Sequence, residues 1–437
     1  MWTIWHAWSG VISKTIERRP DYPPRPSSGD GARSLLSAAA VRNAANRILT
    51  LALDGSLEDW AVKMDRLQDA AGFVADVVRS RYPTLNPPLH ARWRHFVFAG
   101  HDLWSDIAAS ASRAWQSPAA AARAAFDLAI TSVLLDAGAG SGWLYRDAAT
   151  GLTVGRSEGL ALASLRWFER GGLSDHPRDP LRADAAALCR VDAQAVNEAF
   201  QSTEGNTIQG AHGRSALLNR LGLAVQARSD LFAIADLPRP GGLFDALALR
   251  ASQGRLSAAT ILEVLLESLG SIWPNRPTLD GVPLGDCWPH PALRGELPAD
   301  RYVPLHKLSQ WLAYSLIEPL ENAGLRVYDI DALTGLAEYR NGGLFVDMGV
   351  IVPRDGAALS RIHDVSDPFV VGWRAATVAL LDEIAPLVAA RLGLAAEDFP
   401  LARVLEGGTW AAGRLIARAK RADAGPPFQV SSDGTVF

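Results

Sequence analysis

Two neighbouring segments hold the residue types best suited to catalysis and ligand binding. In the first, residues 305–320, polar side chains recur every three or four positions, the spacing that keeps side chains on one face of a helix. An unpaired polar group in a core costs about 2–7 kcal/mol. We therefore expect this face to line a cleft, and a solvated face is the alternative. The candidate side chains are His306, Lys307, Gln310, Trp311, Tyr314 and Glu318.

The second segment, LTGLAEYRNGG at 333–343, places a carboxylate beside an aromatic ring and a guanidinium. These groups suit a sugar phosphate, because the arginine can bind the anion while the carboxylate approaches the anomeric carbon. An internal salt bridge at a turn is the alternative. The residues are Glu338, Tyr339, Arg340 and Asn341.

Other charged residues stand where helices and loops are predicted to meet. Arg156, Ser157 and Glu158 begin a helix whose free N–H groups could bind an anion, with simple capping by Ser157 as the alternative. A second carboxylate would come from the start of a glycine-rich loop, from a loop before the 305–320 helix, or from a strand-like segment: Asp136, Asp286 or Asp347.

Three weaker motifs complete the set. Residues 92–95 (RWRH) are typical of a surface or interface patch, and 406–414 (EGGTWAAGR) of the start of a helix. Residues 209–214 (QGAHGR) could offer His212 and Arg214 to an anion. No spacing matches a nucleophile elbow or a metal site, so we expect neither metal nor cofactor.

The elements that must position these residues are mainly α-helices. Amphipathic patterns predict helices near 33–53, 57–80, 103–114, 118–136, 158–170, 181–200, 214–227, 257–270, 305–322 and 373–391. Residues 344–352 (LFVDMGVIV) read as a strand that could pair with 327–330. The fold class is therefore mainly α, a large all-helical body with one small β element, a short hairpin around 327–352.

Composition limits the protein class. The chain has 437 residues, 48% of them hydrophobic, and can bury a large core. A net charge of −4 argues against nucleic-acid binding, and two cysteines provide no disulfide framework. No stretch is apolar enough for a membrane span, so we expect a cytoplasmic protein. Residues 1–30 are predicted to be a flexible tail, and 31–437 a single helical domain of one or two lobes with its cleft lined by 306–347.

Several long motifs resemble the uracil catabolism protein 4 family, and the resemblance covers roughly residues 31–437. They are LDAGAG (135–140), GRSEGLALASL (155–165), GDCWPH (285–290), HKLSQWLAYSLIEPL (306–320), LTGLAEYRNGGLFVDMGV (333–350) and EGGTWAAGR (406–414). The resemblance implies a role in degrading uracil through its ribonucleotide. A ribosylurea phosphate that is split into urea and a pentose phosphate is the implied intermediate.

Two of these motifs are also distantly similar to queuosine-salvage N-glycosylases. The likeness transfers site roles to Lys307, Gln310, Glu338, Tyr339 and Arg340. This chain departs from that family in having Glu338 where aspartate is favoured, Asn341-Gly342-Gly343 after the arginine, and Ser315 where an acidic residue is expected. The departures imply a different leaving group.

These observations together predict an N-glycoside hydrolase acting on a ribosyl 5-phosphate. Glu338 is the expected carboxylate at C1, while His306, Lys307 and Arg340 are candidates for the phosphate. Trp311, Tyr314 and Tyr339 are expected to wall the sugar. A non-catalytic helical metabolite-binding or partner protein of the same pathway is the alternative. The partner expected is a small phosphorylated ribosyl compound, with no nucleic acid or membrane, and a homodimer is an open option.

Overall fold

The computed structural model describes residues 31–115, 117–140, 142–233 and 237–431. The predicted flexible tail, residues 1–30, lies outside the described residues. Within them helices dominate, which confirms the mainly α fold class. The α-helices are α1 (Ala38–Leu53), α2 (Leu67–Arg81), α3 (Leu103–Ala111), α4 (Pro118–Leu134), α5 (Arg156–Glu169), α6 (Ala185–Leu188), α7 (Ala193–Ala199), α8 (Ala211–Ala227), α9 (Ser229–Phe232), α10 (Leu243–Arg250), α11 (Ala258–Leu269), α12 (Lys307–Asn322), α13 (Tyr339–Asp347), α14 (Pro368–Leu392), α15 (Leu401–Val404) and α16 (Trp410–Lys420).

Helix starts follow local sequence signals. The Ser37 and Ser117 hydroxyls accept hydrogen bonds from the N–H groups of Ala40 and Ala120, at 3.1 and 3.2 Å. Such caps satisfy N–H groups that the first turn leaves without a helical partner. Pro118 also occupies the first position of its helix, where proline needs no hydrogen bond.

The strands are short and pair two by two. Antiparallel pairs are β1 (Trp60–Val62) with β12 (Ile351–Pro353), β2 (Val97–Phe98) with β3 (His101–Asp102), β4 (Leu144–Arg146) with β5 (Thr153–Gly155), β7 (Thr278–Leu279) with β8 (Val282–Pro283), and β9 (Cys287–Pro289) with β10 (Tyr302–Pro304). Parallel pairs are β6 (Arg255–Ser257) with β11 (Arg326–Tyr328) and β13 (Ile362–Asp364) with β14 (Gln429–Ser431).

The hairpin predicted around 327–352 does not form. The first four residues of the predicted strand, 344–347, belong to α13, which ends at Asp347, and the strands at either side, β11 and β12, pair with β6 and β1. The helix forms because Glu338 caps its N-terminus and because Gly342 packs against a neighbouring helix, where a Cβ would lie 2.5 Å from the indole of Trp373. The prediction of 57–80 as one helix was also wrong, since β1 and a 3₁₀ turn precede α2.

Helix α14 runs through the centre of the molecule. Buried residues occur on all its faces, and it packs against α1, α2 and α13. Most buried apolar side chains between Ala38 and Phe428 form one contiguous cluster, and a second, small cluster contains Ala32, Leu35, Leu284, Cys287 and Ala299. Within the described residues, no helix combines the length and the apolar character needed to cross a membrane.

Helices α13 and α16 approach each other closely beside the predicted site. A Cβ added at Gly413 would overlap the backbone carbonyl of Arg340. Gly413, the last glycine in the motif EGGTWAAGR, thus lets α16 lie against the first turn of α13, where Glu338 and Arg340 are held.

Gly413→Ala should lower the free energy of unfolding by about 1–3 kcal/mol, because the methyl group overpacks this helix contact. Gly356→Ala is the matched control, since no atom lies within 4 Å of an added Cβ there. Urea denaturation of both variants measures the difference. Equal stability of the two variants would show that the α13–α16 contact can relax.

Candidate active site

A cavity of about 440 Å³ opens where several helices end or begin. It is bounded by the loop after α4, the N-terminal ends of α5, α12 and α13, the start of α16, and residues 423–430 of the C-terminal segment. The predicted residues that line it are Asp136, Arg156, Ser157, Lys307, Trp311, Glu338, Tyr339 and Arg340. The two segments predicted from sequence to carry the chemistry therefore meet at one cavity.

Three helices direct their N-terminal ends at this cavity. Arg156, Lys307 and Tyr339 are the first residues of α5, α12 and α13, and all three line the cavity. Each helix N-terminus carries a partial positive charge, about half an elementary charge. No side chain caps α5, so its first-turn N–H groups are not used by a capping residue. The surroundings favour a bound anion.

Glu338 is both the N-cap of α13 and a carboxylate at the cavity. Its two oxygens accept hydrogen bonds from the backbone N–H groups of Arg340 and Asn341, at 2.8 and 2.6 Å. Burial raises the pKa of the Glu338 carboxyl, although these N–H groups and the charge of Lys307 oppose the rise. The caps fix the direction of the carboxylate while leaving it on the cavity wall.

Asp136 is the second carboxylate that lines the cavity. Its Oδ1 lies 3.0 Å from Nη1 of Arg92, whose side chain is completely buried. Burial raises the pKa of Asp136, while Arg92, Lys307 and Arg214 oppose this rise. An ion pair therefore keeps this carboxylate beside the cavity despite the loss of solvent.

Lys307 interacts electrostatically with both carboxylates, Glu338 and Asp136. Burial lowers the pKa of its ammonium group, and the negative charges of Glu338 and Asp136 counteract this lowering. Since Lys307 and Glu338 both line the cavity, α12 and α13 present their charged groups to a common space.

Two arginines connect the cavity to the C-terminal segment. Arg156 donates a hydrogen bond to the carbonyl of Asp423 at 3.3 Å, and Arg340 donates one to the carbonyl of Ala424 at 2.9 Å. The Arg340 guanidinium also lies over the ring of Tyr339, 4.6 Å from its centroid. The segment thus closes part of the cavity against two guanidinium groups.

A buried ion pair fixes the two candidate segments, which begin near Lys307 and Glu338, to the central helix. Arg374 of α14 binds both oxygens of Asp286, at 2.8 and 2.7 Å, and donates to the carbonyl of Ala337 at 3.1 Å. Asp286 also accepts from the indole of Trp288 at 3.0 Å and from the backbone N–H of Lys307 at 3.1 Å. Burial raises the pKa of the Asp286 carboxyl, but Arg374 and the hydrogen bonds bring it well below its usual range. Asp286 does not line the cavity, and its contacts are those of a positioning residue.

Gln310 and Tyr314 share the face of α12 predicted to line a cleft, yet neither lines the cavity. The Gln310 amide donates to the hydroxyl of Thr334 at 2.8 Å, and the Tyr314 hydroxyl donates to the Thr334 carbonyl at 3.1 Å. Both side chains therefore hold the segment that leads to Glu338.

Other predicted residues also lie outside the cavity lining. Asp347 pairs with Arg421, whose Nε donates to the carbonyl of Gly425 at 2.8 Å, and this supports the C-terminal segment. Glu158 pairs with Arg414, which lies over the ring of Trp410 at 4.8 Å. The remaining predicted residues have partners outside the cavity: His306 pairs with the Leu35 carbonyl, Asn341 with the Leu336 carbonyl and Glu318 with Arg94.

Sequence reasoning missed a group of aromatic residues at the cavity. His90, His95 and Trp410 line it, and Nδ1 of His90 lies 2.8 Å from Oε2 of Glu406. The patch at 92–95 was assigned to the surface, but Arg92 and His95 are buried. A histidine beside tryptophans was the available signal, yet only the fold brings residues 90–95 next to 406–410.

Arg214 does not face the cavity as an anion ligand. It is completely buried, and its guanidinium donates to the carbonyls of Leu135, Ala137, Gly138 and Gln209. It therefore shapes the glycine-rich loop that carries Asp136.

Comparisons with known proteins give one consistent result. The family model described as "Protein of unknown function (DUF1688)" matches residues 34–437. Protein urg3 of Schizosaccharomyces pombe is 36% identical over 410 residues, which cover 92% of this chain and 98% of that protein. Uracil catabolism protein 4 of Lachancea kluyveri is 35% identical over 414 residues, which cover 88% of this chain and 93% of that protein.

Asp286→Asn should lower the free energy of unfolding by about 3–5 kcal/mol at neutral pH, because Arg374 keeps a buried charge without its carboxylate partner. The pKa of Asp286 is lowered by folding, so its stabilisation is present above the ordinary aspartate pKa of about 4 and decreases as pH falls below it. The difference in the free energy of unfolding between Asp286→Asn and the wild type should therefore decrease as the pH falls below about 4.

Urea denaturation at several pH values measures both effects. Asp76→Asn is the control, since its partner Arg79 and Asp76 itself are largely exposed, and such pairs contribute about 0–1 kcal/mol. If Asp286→Asn loses as little free energy of unfolding as the control, the positioning role of Asp286 is contradicted.

Proposed function

Because the chain belongs to the DUF1688 family, together with Protein urg3 and Uracil catabolism protein 4, we propose that it acts in uracil catabolism as an N-glycoside hydrolase. The substrate is a ribosylurea 5-phosphate, and the products are urea and ribose 5-phosphate. The observation that carries the proposal is the buried Glu338 carboxylate, which lines one cavity with Lys307 and two arginines.

The carboxylate suits the charge that develops when a C1–N bond breaks. The sugar becomes oxocarbenium-like, and a carboxylate near C1 stabilises it and then either attacks C1 or activates water. The backbone N–H groups of Arg340 and Asn341 already hold Glu338, so its orientation requires no rearrangement during the reaction. Asp136 is another acidic residue that lines this cavity and is the candidate for the second carboxylate.

The cations and helix ends suit the phosphate of the substrate. Arg156 stands at the first turn of α5, where no side chain caps the helix, and Arg340 stands at the first turn of α13. Guanidinium groups bind phosphate oxygens through paired N–H donors, and helix N-termini add their own N–H groups. Tyr339 and Trp311 offer aromatic walls for the sugar.

Purified protein incubated with ribosylurea 5-phosphate should release equal amounts of urea and ribose 5-phosphate. Glu338→Gln should lower kcat/KM by about a hundredfold or more, because electrostatic stabilisation of this kind contributes roughly 10²–10³ in rate. Glu58→Gln, an exposed carboxylate outside the cavity, is the matched control and should keep full activity.

Activity should also depend on the ionisation of Glu338. Since burial raises the pKa of this carboxyl, the acid limb of kcat/KM should lie above the ordinary glutamate pKa of about 4.3. Binding of the substrate without its consumption would instead favour the non-catalytic metabolite-binding protein. Equal activity of wild type and Glu338→Gln would exclude the role of Glu338.

Arg156→Met should raise KM for the phosphorylated substrate by roughly ten- to a hundredfold, because a hydrogen bond to a charged group contributes about 1.5–3 kcal/mol. Ribosylurea without phosphate is the comparison substrate, and its low activity should not change. Arg79→Met, an exposed position outside the cavity, controls for loss of surface charge. Equal losses with both substrates would contradict phosphate binding by Arg156.

A further inference from the structure

One part of the cavity wall is formed by four ring-bearing side chains, of which Trp311 also borders the sugar and the other three have no role in binding the sugar phosphate or stabilising C1. His90, His95, Trp311 and Trp410 line it. His95 meets the two indoles edge-on at 5.5 and 5.8 Å between ring centroids, and His90 lies 6.1 and 6.5 Å from the same indoles. We call these four side chains the aromatic box.

His95 makes the box polar without adding charge. The side chain is only 9% exposed, and its Nδ1 has no hydrogen-bond partner among the described residues. Burial, with the nearby charge of Arg92, lowers the pKa of His95 to about 3, so its imidazole is neutral in the physiological range. A neutral imidazole offers one donor and one acceptor. A buried polar group without a partner in the protein suits a polar ligand.

His90 differs from His95 because it has a carboxylate partner. Its Nδ1 lies 2.8 Å from Oε2 of Glu406, which also accepts a hydrogen bond from the Tyr82 hydroxyl at 3.3 Å and lies 3.9 Å from Arg81. Burial raises the pKa of Glu406, but the hydrogen bond from His90 and the nearby cationic groups together bring the pKa below the usual value. A carboxylate in this position orients the imidazole, as in a catalytic triad.

The backbone around Glu406 is unusual in a way that serves this pair. Leu405–Thr409 form a π-helical turn between α15 and α16, and such turns occur frequently at functional sites. Gly407 and Gly408 lie directly against Pro87 and Val74, where an added Cβ would be 2.9 and 2.5 Å from the nearest atom. The turn therefore places Glu406 deep enough to reach His90.

We propose that the aromatic box binds the planar, uncharged ureido leaving group and that His90, held by Glu406, donates the proton that this group needs to depart. This inference rests on the proposed N-glycoside hydrolysis and adds a proton donor for the leaving nitrogen. Amide-like groups are flat, so they suit aromatic walls, and their N–H and C=O groups match the donor and acceptor of a neutral imidazole.

The step balances without a further reactant. The C1–N bond breaks with its electron pair on the ureido nitrogen, which takes the proton from Nε2 of His90 and leaves as neutral urea. A water molecule adds its oxygen to C1. One of its protons passes to the Glu338 carboxylate and then to the His90 imidazole, which restores the proton donor. A deprotonated urea is a poor leaving group, so the proton donor is required during bond cleavage.

The test compares two leaving groups. Ribosylurea 5-phosphate needs a proton on its leaving nitrogen, whereas 4-nitrophenyl ribofuranoside 5-phosphate releases a stable phenolate without one. His90→Asn should lower kcat/KM for the first substrate by about 10²–10⁴-fold, the usual range for a general acid, and should leave the second substrate nearly unaffected. Glu406→Gln should show the same selectivity with a smaller loss. His101→Asn, an exposed histidine outside the box, is the control.

The outcomes separate this inference from the proposed function. Equal losses on both substrates, or no loss on either, overturn the role of His90 while leaving the hydrolase intact. Failure of the wild type to cleave ribosylurea 5-phosphate overturns the proposed function and this inference with it.

A second measurement requires no aryl substrate. Urea should inhibit the wild type as a product, and His95→Phe should raise its inhibition constant several-fold while thermal unfolding confirms that the variant is folded. An unchanged inhibition constant would overturn the assignment of the aromatic box to the leaving group.

Discussion

The buried ion pair between Asp286 and Arg374 is the contact on which the arrangement of the site depends. Arg374 belongs to the central helix α14, and its guanidinium reaches the carbonyl of Ala337, directly before Glu338. Asp286 binds the first N–H group of α12, which carries Lys307. Since desolvation offsets much of the attraction in a buried pair, its main effect is geometric. It holds two segments, one beginning at residue 307 and one at 338, against the same helix.

The charged groups at the cavity are largely buried, and this burial changes their acid–base behaviour. Burial raises the pKa values of Glu338 and Asp136 and lowers that of Lys307. Mutual attraction and backbone N–H groups oppose these shifts. Shifted pKa values in a cleft are typical of catalytic groups, although structural ion pairs also produce them. Here the hydrogen bonds that cap α13 also fix its carboxylate, so one local motif stabilises the helix and orients the site.

Most helices followed from the sequence because their signals are local. The predicted helices near 118–136, 214–227 and 305–322 correspond to α4, α8 and α12, and in the structure Ser117 and Pro118 mark the start of α4. The strand predicted at 344–352 was wrong over its first part, which is helical, because a short apolar run fits either a strand or a buried helix; only 351–352 lie in a strand. The choice depended on a cap at Glu338 and on close packing of Gly342 against Trp373, a contact between distant parts of the chain.

The sequence by itself determined the mainly helical fold and indicated the segments that hold Lys307 and Glu338 as candidates. Residue type and helical period are properties of neighbouring residues, so local sequence is enough to reveal them. Only the tertiary structure decided which side chains reach the cavity. Gln310 and Tyr314 share a helix face with Lys307, yet they bind Thr334, because α12 is covered along its length by other segments. His90 and Glu406, which contact each other, are 316 residues apart in the sequence. Which face of a helix is covered, and by what, depends on long-range packing that no local pattern encodes.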